Sequence, residues 1–158
     1  IPSVQKGVIK AMDGGVIAGY PVVDVKATLV DGSFHPVDSS GICFEIAGGH
    51  AFSKGLKEAK PVLLEPVMKV AITVNDEDTG EIMGDLNGKR GKILGMNPEG
   101  NGTTIIEAEV PQFEMLKYAT DLRSITQGRG SYTLEFDHYE EVPNHMLDRV
   151  VKVKETEE

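Results

Sequence analysis

The chain has 158 residues, 40% of them hydrophobic, which is enough for a real core and too many for a disordered chain. Its net charge of −9 argues against general nucleic-acid binding but leaves room for a small basic patch, because phosphate contacts act locally. Cys43 is the only cysteine, so no internal disulfide can form, and no apolar run reaches the length of a membrane span; these features lead to the expectation of a cytoplasmic location.

In chain order, Ser3 is a candidate N-cap for a short helix. Val4, Val8, Ala11 and Met12 form its apolar stripe, and Gly14–Gly15 ends it. Val22–Val30 alternates apolar and polar residues, the pattern of a half-buried strand. His35 lies on the loop that follows. Asp38, Ser39 or Ser40 can cap a second helix, whose apolar face is formed by Ile42, Cys43, Ile46, Ala47 and Ala51. Two prolines in Lys60–Pro66 mark a domain boundary.

Beyond it, Val67–Val74 alternates as a strand. Asp78 or Thr79 caps a helix with Ile82 and Leu86 inward, Lys89 and Arg90 in its last turn, and Gly91 as its stop. Lys92–Met96 and Thr103–Val110 read as a hairpin around an Asn/Gly-rich turn. Pro111 opens a helical pattern with Met115, Ala119 and Leu122 at helical spacing, ended by Gly128 and Gly130, and Tyr132–Tyr139 is the last strand.

Strand, helix, strand, strand, helix, strand is the split βαβ, ferredoxin-like order. The fold class is therefore α+β: a ferredoxin-like domain at residues 67–146, preceded by an incomplete α/β segment at residues 1–66 and followed by a solvated tail at residues 147–158. The first segment supplies a single strand, which leaves backbone groups unpaired. Its exposed sheet edge leads to the expectation of self-association.

Few motifs carry chemistry. His35, Asp38, Ser39 and Ser40 are neighbours in sequence, which does not supply the geometry of a hydrolase triad. His50, His138, His145 and Cys43 lack metal-ligand spacing. Gly84–Gly91 is not a phosphate loop, because Arg90 follows Lys89 where Ser or Thr is needed. Arg123, Ser124, Gln127 and Arg129 form a polar helix end flanked by glycines, with side chains suited to phosphate and sugar. Lys89 and Arg90 are cations at the end of the other helix. A protein-interaction or regulatory module remains the alternative, since a ferredoxin-like fold does not decide function.

Four stretches, AGYPVVDVKATLVDGSFHPVDSS, KPVLLEPVMKV, GDLNGKRGKILGMNPEGN and YATDLRSITQGRGSYTLEFDHYEEVP, resemble the C-terminal part of bacterial elongation factor G, in the same order over nearly all of Ile1–Pro143. The resemblance implies part of the fourth domain, then the fifth, with the GTPase domain, its GTP and its Mg lying upstream; this chain would carry no cofactor and no catalytic residue. It implies a role in translocation of tRNA and mRNA and in ribosome recycling. His35 matches a tip histidine that enters the decoding region. Arg123, Ser124 and Gln127 match positions that approach the sarcin–ricin loop, and the stalk base is a further contact of that domain. The expected RNA-contact set is His35, Lys89, Arg90, Arg123, Ser124, Gln127 and Arg129. Pro36 and Ile125 stand where the family often has an acid and a lysine, departures in keeping with a divergent paralogue.

Overall fold

The computed structural model describes residues 1–37 and 39–151. It divides into two compact units, one built on Ile1–Leu63 and the other on Leu64–Val150.

The first unit is a pair of helices and a long irregular connection. Helix α1 spans Pro2–Gly14 and helix α2 spans Gly41–Glu58. Pro2 occupies the first turn, where its missing N–H costs nothing, so α1 begins ahead of the expected cap, Ser3. Ser40 caps α2, its hydroxyl accepting from the Cys43 N–H at 3.4 Å; Asp38, another candidate cap, lies outside the described residues. The helices meet through glycine. Gly7 and Gly48 are buried, and a Cβ on Gly48 would come within 2.9 Å of Val4 Cγ1.

Two expectations for this unit are corrected. Val22–Val30 forms no strand: no described strand in the unit offers it a ladder, and Asp24 interrupts the run at φ 57°. The expected apolar face of α2 is also largely open, with Ile42 67% and Ile46 54% exposed, because α2 turns its glycine side to α1.

The second unit holds the core. Its elements are β1 (Leu64–Asn75), a 3-10 turn at Asp76–Asp78, α3 (Thr79–Gly88), β2 (Lys92–Pro98), β3 (Thr103–Pro111), α4 (Gln112–Met115), α5 (Tyr118–Ile125) and β4 (Ser131–Glu141). The sheet order is β2-β3-β1-β4 and every pairing is antiparallel, the split βαβ arrangement. Val70, Ile72 and Val74 of β1 and Ile106, Ala108 and Val110 of β3 are buried with Ile82 and Leu86 of α3 and Met115, Tyr118 and Leu122 of the last helical segment. This follows from period two on the strands meeting period 3.6 on the helices.

The helix after β3 is not continuous. It breaks at Leu116–Lys117. Tyr118, three residues after Met115 and four before Leu122, takes the core position, and Ala119, expected there from sequence, is exposed. The Tyr118 ring packs edge-on against Tyr132 at 5.2 Å, and burial pushes its phenol pKa up. The start of the expected tail, 147–151, is helical, and residues 152–158 lie outside the described residues.

Candidate nucleic-acid interface

Helices α3 and α5 end the same way. After α3, Arg90 takes φ 59°, its N–H bonds to the Asn87 carbonyl at 3.3 Å, and the Gly91 N–H reaches the Leu86 carbonyl at 2.8 Å. After α5, Gln127 takes φ 53° and the Gly128 N–H reaches the Arg123 carbonyl at 3.0 Å. These six-to-one bonds are those of a Schellman turn, with a long polar residue at the left-handed position that glycine usually fills. The left-handed residue is thus Arg90, not the expected stop Gly91. A non-glycine residue there is strained, so its side chain needs a reason to stay.

For Arg90 the reason is internal. Its Nη1 and Nη2 donate to both oxygens of Glu65 at 2.6 and 3.0 Å, and its Nε donates to Glu114 at 3.3 Å. Glu65 is 5% exposed. The hydrogen bonds to Glu65 raise the guanidinium pKa despite partial burial. Lys89 is held in a similar way: Nζ lies 3.0 Å from Asp85 of α3 and 2.9 Å from Asp121 of α5, tying the two helices together. Burial opposes its charge, but hydrogen bonds to Asp121 and Asp85 outweigh this and raise its pKa. Both cations, expected at an RNA surface, are engaged as internal ties.

The end of α5 differs. Arg123, Ser124 and Gln127 are exposed, and among the described residues no ion pair or hydrogen bond engages the Arg123 side chain. The turn beneath them is rigid. Thr126 is fully buried; its hydroxyl donates to the Leu122 carbonyl at 2.7 Å and accepts from the Gly130 N–H at 2.9 Å. A Cβ on Gly130 would press on Thr126 Cγ2 at 2.9 Å, so the turn closes only around glycine. Arg129 folds back, its Nε donating to the Thr126 carbonyl at 3.2 Å and its Nη2 lying 3.1 Å from Glu77. The structure therefore gathers Arg123, Ser124, Gln127 and Arg129 on one turn. Sequence reading missed Thr126 as the post of that turn and Glu77 as the partner of Arg129; neither belongs to a motif.

His35 lies in the first unit, on an exposed loop. Its N–H donates to Ser39 Oγ at 2.8 Å and its carbonyl accepts from the Ser39 N–H at 3.1 Å, which fixes the loop locally. The neighbouring Phe34 ring stacks on Phe44 at 6.5 Å. On β4, His138 sits at the rim between Asp137 and Glu140, whose hydrogen bonds raise its pKa, the Glu140 contribution being the larger.

Residues 62–150 match the family described as Elongation factor G C-terminus, and residues 1–60 match Elongation factor G, domain IV. The chain belongs to the elongation factor G family. It is 52% identical over 151 residues to the Elongation factor G of Aquifex pyrophilus, a match covering 96% of this chain and 22% of that relative. A crystal structure from Thermus thermophilus superposes with a TM-score of 0.81 at 43% identity, covering 99% of this chain and 24% of the other. The chain thus spans about a fifth of the length of the elongation factor G it matches. Both Schellman turns lie within the stretch matched to the C-terminus of elongation factor G. Among the described residues, no helix is long and apolar enough to cross a membrane.

Proposed function

We propose that this chain is the ribosome-facing, cytoplasmic, C-terminal portion of an elongation factor G-type translation GTPase, and that it acts in translocation of tRNA and mRNA and in ribosome recycling. GTP and Mg act upstream in the parent, and this portion transmits the resulting movement. The α5 end meets the sarcin–ricin loop and stalk base, and the His35 loop enters the decoding region beside tRNA and mRNA. Contacts of this kind read RNA shape and backbone more than base identity.

The observation that carries the reading is Arg123: an exposed cation without an internal partner among the described residues, on a turn held by Thr126. Ser124 and Gln127 stand beside it as hydrogen-bonding groups. Lys89 and Arg90 act in this account by holding α3, β1 and α5 in place. Arg123→Ala in the parent protein is expected to weaken ribosome binding and to lower the dependence of log affinity on log salt by about one. An unchanged affinity across the salt titration would count against the assignment.

A protein-facing reading has its own support in β4, an edge strand on which the exposed rings of Phe136 and Tyr139 meet at a tilt, their centroids 5.1 Å apart. It predicts that a nuclease-treated lysate yields one protein partner and no ribosomes. The isolated chain is also expected to self-associate, through the open apolar surface of its first unit and not through a sheet edge. A groove of about 750 Å³ there is lined by Val4, Val8, Leu29, Phe44 and Phe52. Sedimentation should show a species heavier than a monomer at micromolar concentration; a strict monomer would contradict this.

A further inference from the structure

We infer that Glu77 is a specificity-determining residue of the α5 surface, acting by holding Arg129 away from phosphate that is not already fixed in position. The inference rests on the RNA-contacting reading above and concerns how that surface refuses other polyanions.

Arg129 is anchored at two points. Its Nε donates to the Thr126 carbonyl at 3.2 Å, on the post that also orders the Gln127 turn. Its Nη2 faces Glu77 Oε1 at 3.1 Å and Asp78 Oδ2 at 3.9 Å. The acidic turn that supplies both carboxylates is itself fixed: Asp76 Oδ1 accepts from Thr104 Oγ1 at 2.7 Å, and the Asp76 N–H donates to the Gly102 carbonyl at 3.1 Å. Asp78 Oδ2 is buried with no hydrogen-bond partner, so the nearby guanidinium is the compensation for its charge among the described residues.

The charge balance has a direct consequence. One guanidinium faces two carboxylates, so the Arg129 cluster carries net negative charge at neutral pH. A flexible polyanion binds by releasing counterions at every free cation it can reach. It finds Arg129 already neutralised and two carboxylates beside it, and gains little. A folded RNA that positions phosphate at Arg123 and sugar or phosphate at Ser124 and Gln127 does not depend on Arg129. The acidic turn therefore lowers affinity for the wrong partner more than for the right one, which is selectivity through a repulsive element. Glu77 is the residue to test, because its side chain is 67% exposed while that of Asp78 is only 13% exposed. Glu77→Gln removes one charge from the surface without disturbing packing.

The experiment compares wild type, Glu77→Gln, Arg129→Ala and the double variant in the full parent chain, using poly(U) and purified large ribosomal subunits as probes over a series of salt concentrations. Glu77→Gln is expected to tighten poly(U) binding about threefold, the scale of an exposed ion pair, and to steepen its salt dependence by about one. Large-subunit affinity should change by less than about twofold, within the range of an exposed pair. In the Arg129→Ala background the gain on poly(U) should vanish. No gain on poly(U), or an equal gain without Arg129, would overturn the inference, since the second result would make Glu77 a general repeller. A failure of Arg123→Ala to weaken subunit binding would instead strike the RNA-contacting reading, and the poly(U) comparison reports on Glu77 separately from it.

Discussion

Arg90→Ala is expected to destabilise the second unit by about 3 kcal/mol, the cost of leaving a buried carboxylate without its partner. Glu65 is 5% exposed and both its oxygens are taken by Arg90, so truncation leaves a largely buried charge without its donors. Glu114 loses its Nε contact as well, although Arg149 remains at 4.0 Å. The backbone refines the prediction. Arg90 sits at φ 59°, and alanine gains nothing there because it carries a Cβ too. Arg90→Gly loses the same pair but relieves the left-handed strain, so it should be less damaging than Arg90→Ala by about 1 kcal/mol. Replacing both members with methionine should restore part of the loss, because an apolar pair has no desolvation to compensate. Urea unfolding followed by tyrosine fluorescence can rank the variants, since Tyr118 and Tyr132 pack at the core. Equal stability of wild type and Arg90→Ala would show the pair to be incidental. The ranking also separates two roles for a cation first read as an RNA contact: a scaffold residue changes unfolding, whereas a surface contact changes affinity alone.

The reason Arg90 was not legible as a scaffold residue is distance along the chain. Its partners Glu114 and Glu65 lie 24 and 25 positions away, and only the folded sheet brings them to it. The order of elements in the second unit was legible because burial there obeys local periods. The alternation over Met68–Val74 and the Ile82/Leu86 spacing each report a buried face directly, whereas Val67 falls out of phase at the register shift between Val67 and Met68. Tyr118 against Ala119 shows the limit of that logic: Met115, Tyr118 and Leu122 fit helical spacing as well as Met115, Ala119 and Leu122 do, and the period alone does not choose between i+3 and i+4. Val22–Val30 shows a second limit. Alternation marks a segment able to pair, but a strand needs another strand, and among the described residues its own unit has none. At the site, the exposed Arg123, Ser124 and Gln127 could be read from residue type and glycine placement. The internal engagement of Lys89 and the anchoring of Arg129 could not, because both depend on carboxylates brought in from other elements.

The first unit should fail most sharply at Gly7. A Cβ there would lie 1.9 Å from the Glu45 carbonyl oxygen and 2.7 Å from its carbon, and both are helix backbone that no rotamer change can move. Two effects oppose each other in Gly7→Ala. Alanine improves helix propensity by about 1 kcal/mol over glycine. Against that, α1 and α2 must separate, which also opens the approach of Gly48 to Val4 and of Gly49 to the Gly7 carbonyl. Overpacking of this kind costs about 3 kcal/mol when the obstacle is rigid, so the clash wins. The unit has little else to draw on, because Ile9, Val30, Phe34, Ile42 and Ile46 are exposed and contribute little burial. Gly55→Ala in α2 supplies the contrast: nothing lies within 4 Å of the added Cβ, so propensity acts alone and the variant should be more stable than wild type. Amide hydrogen exchange across α1 and α2 reads both. Protection should fall by at least tenfold throughout the pair in Gly7→Ala, as a loss of about 1.4 kcal/mol or more requires, and rise modestly in Gly55→Ala. Similar protection in the two variants would mean that the helices are held together by something other than the glycine contact.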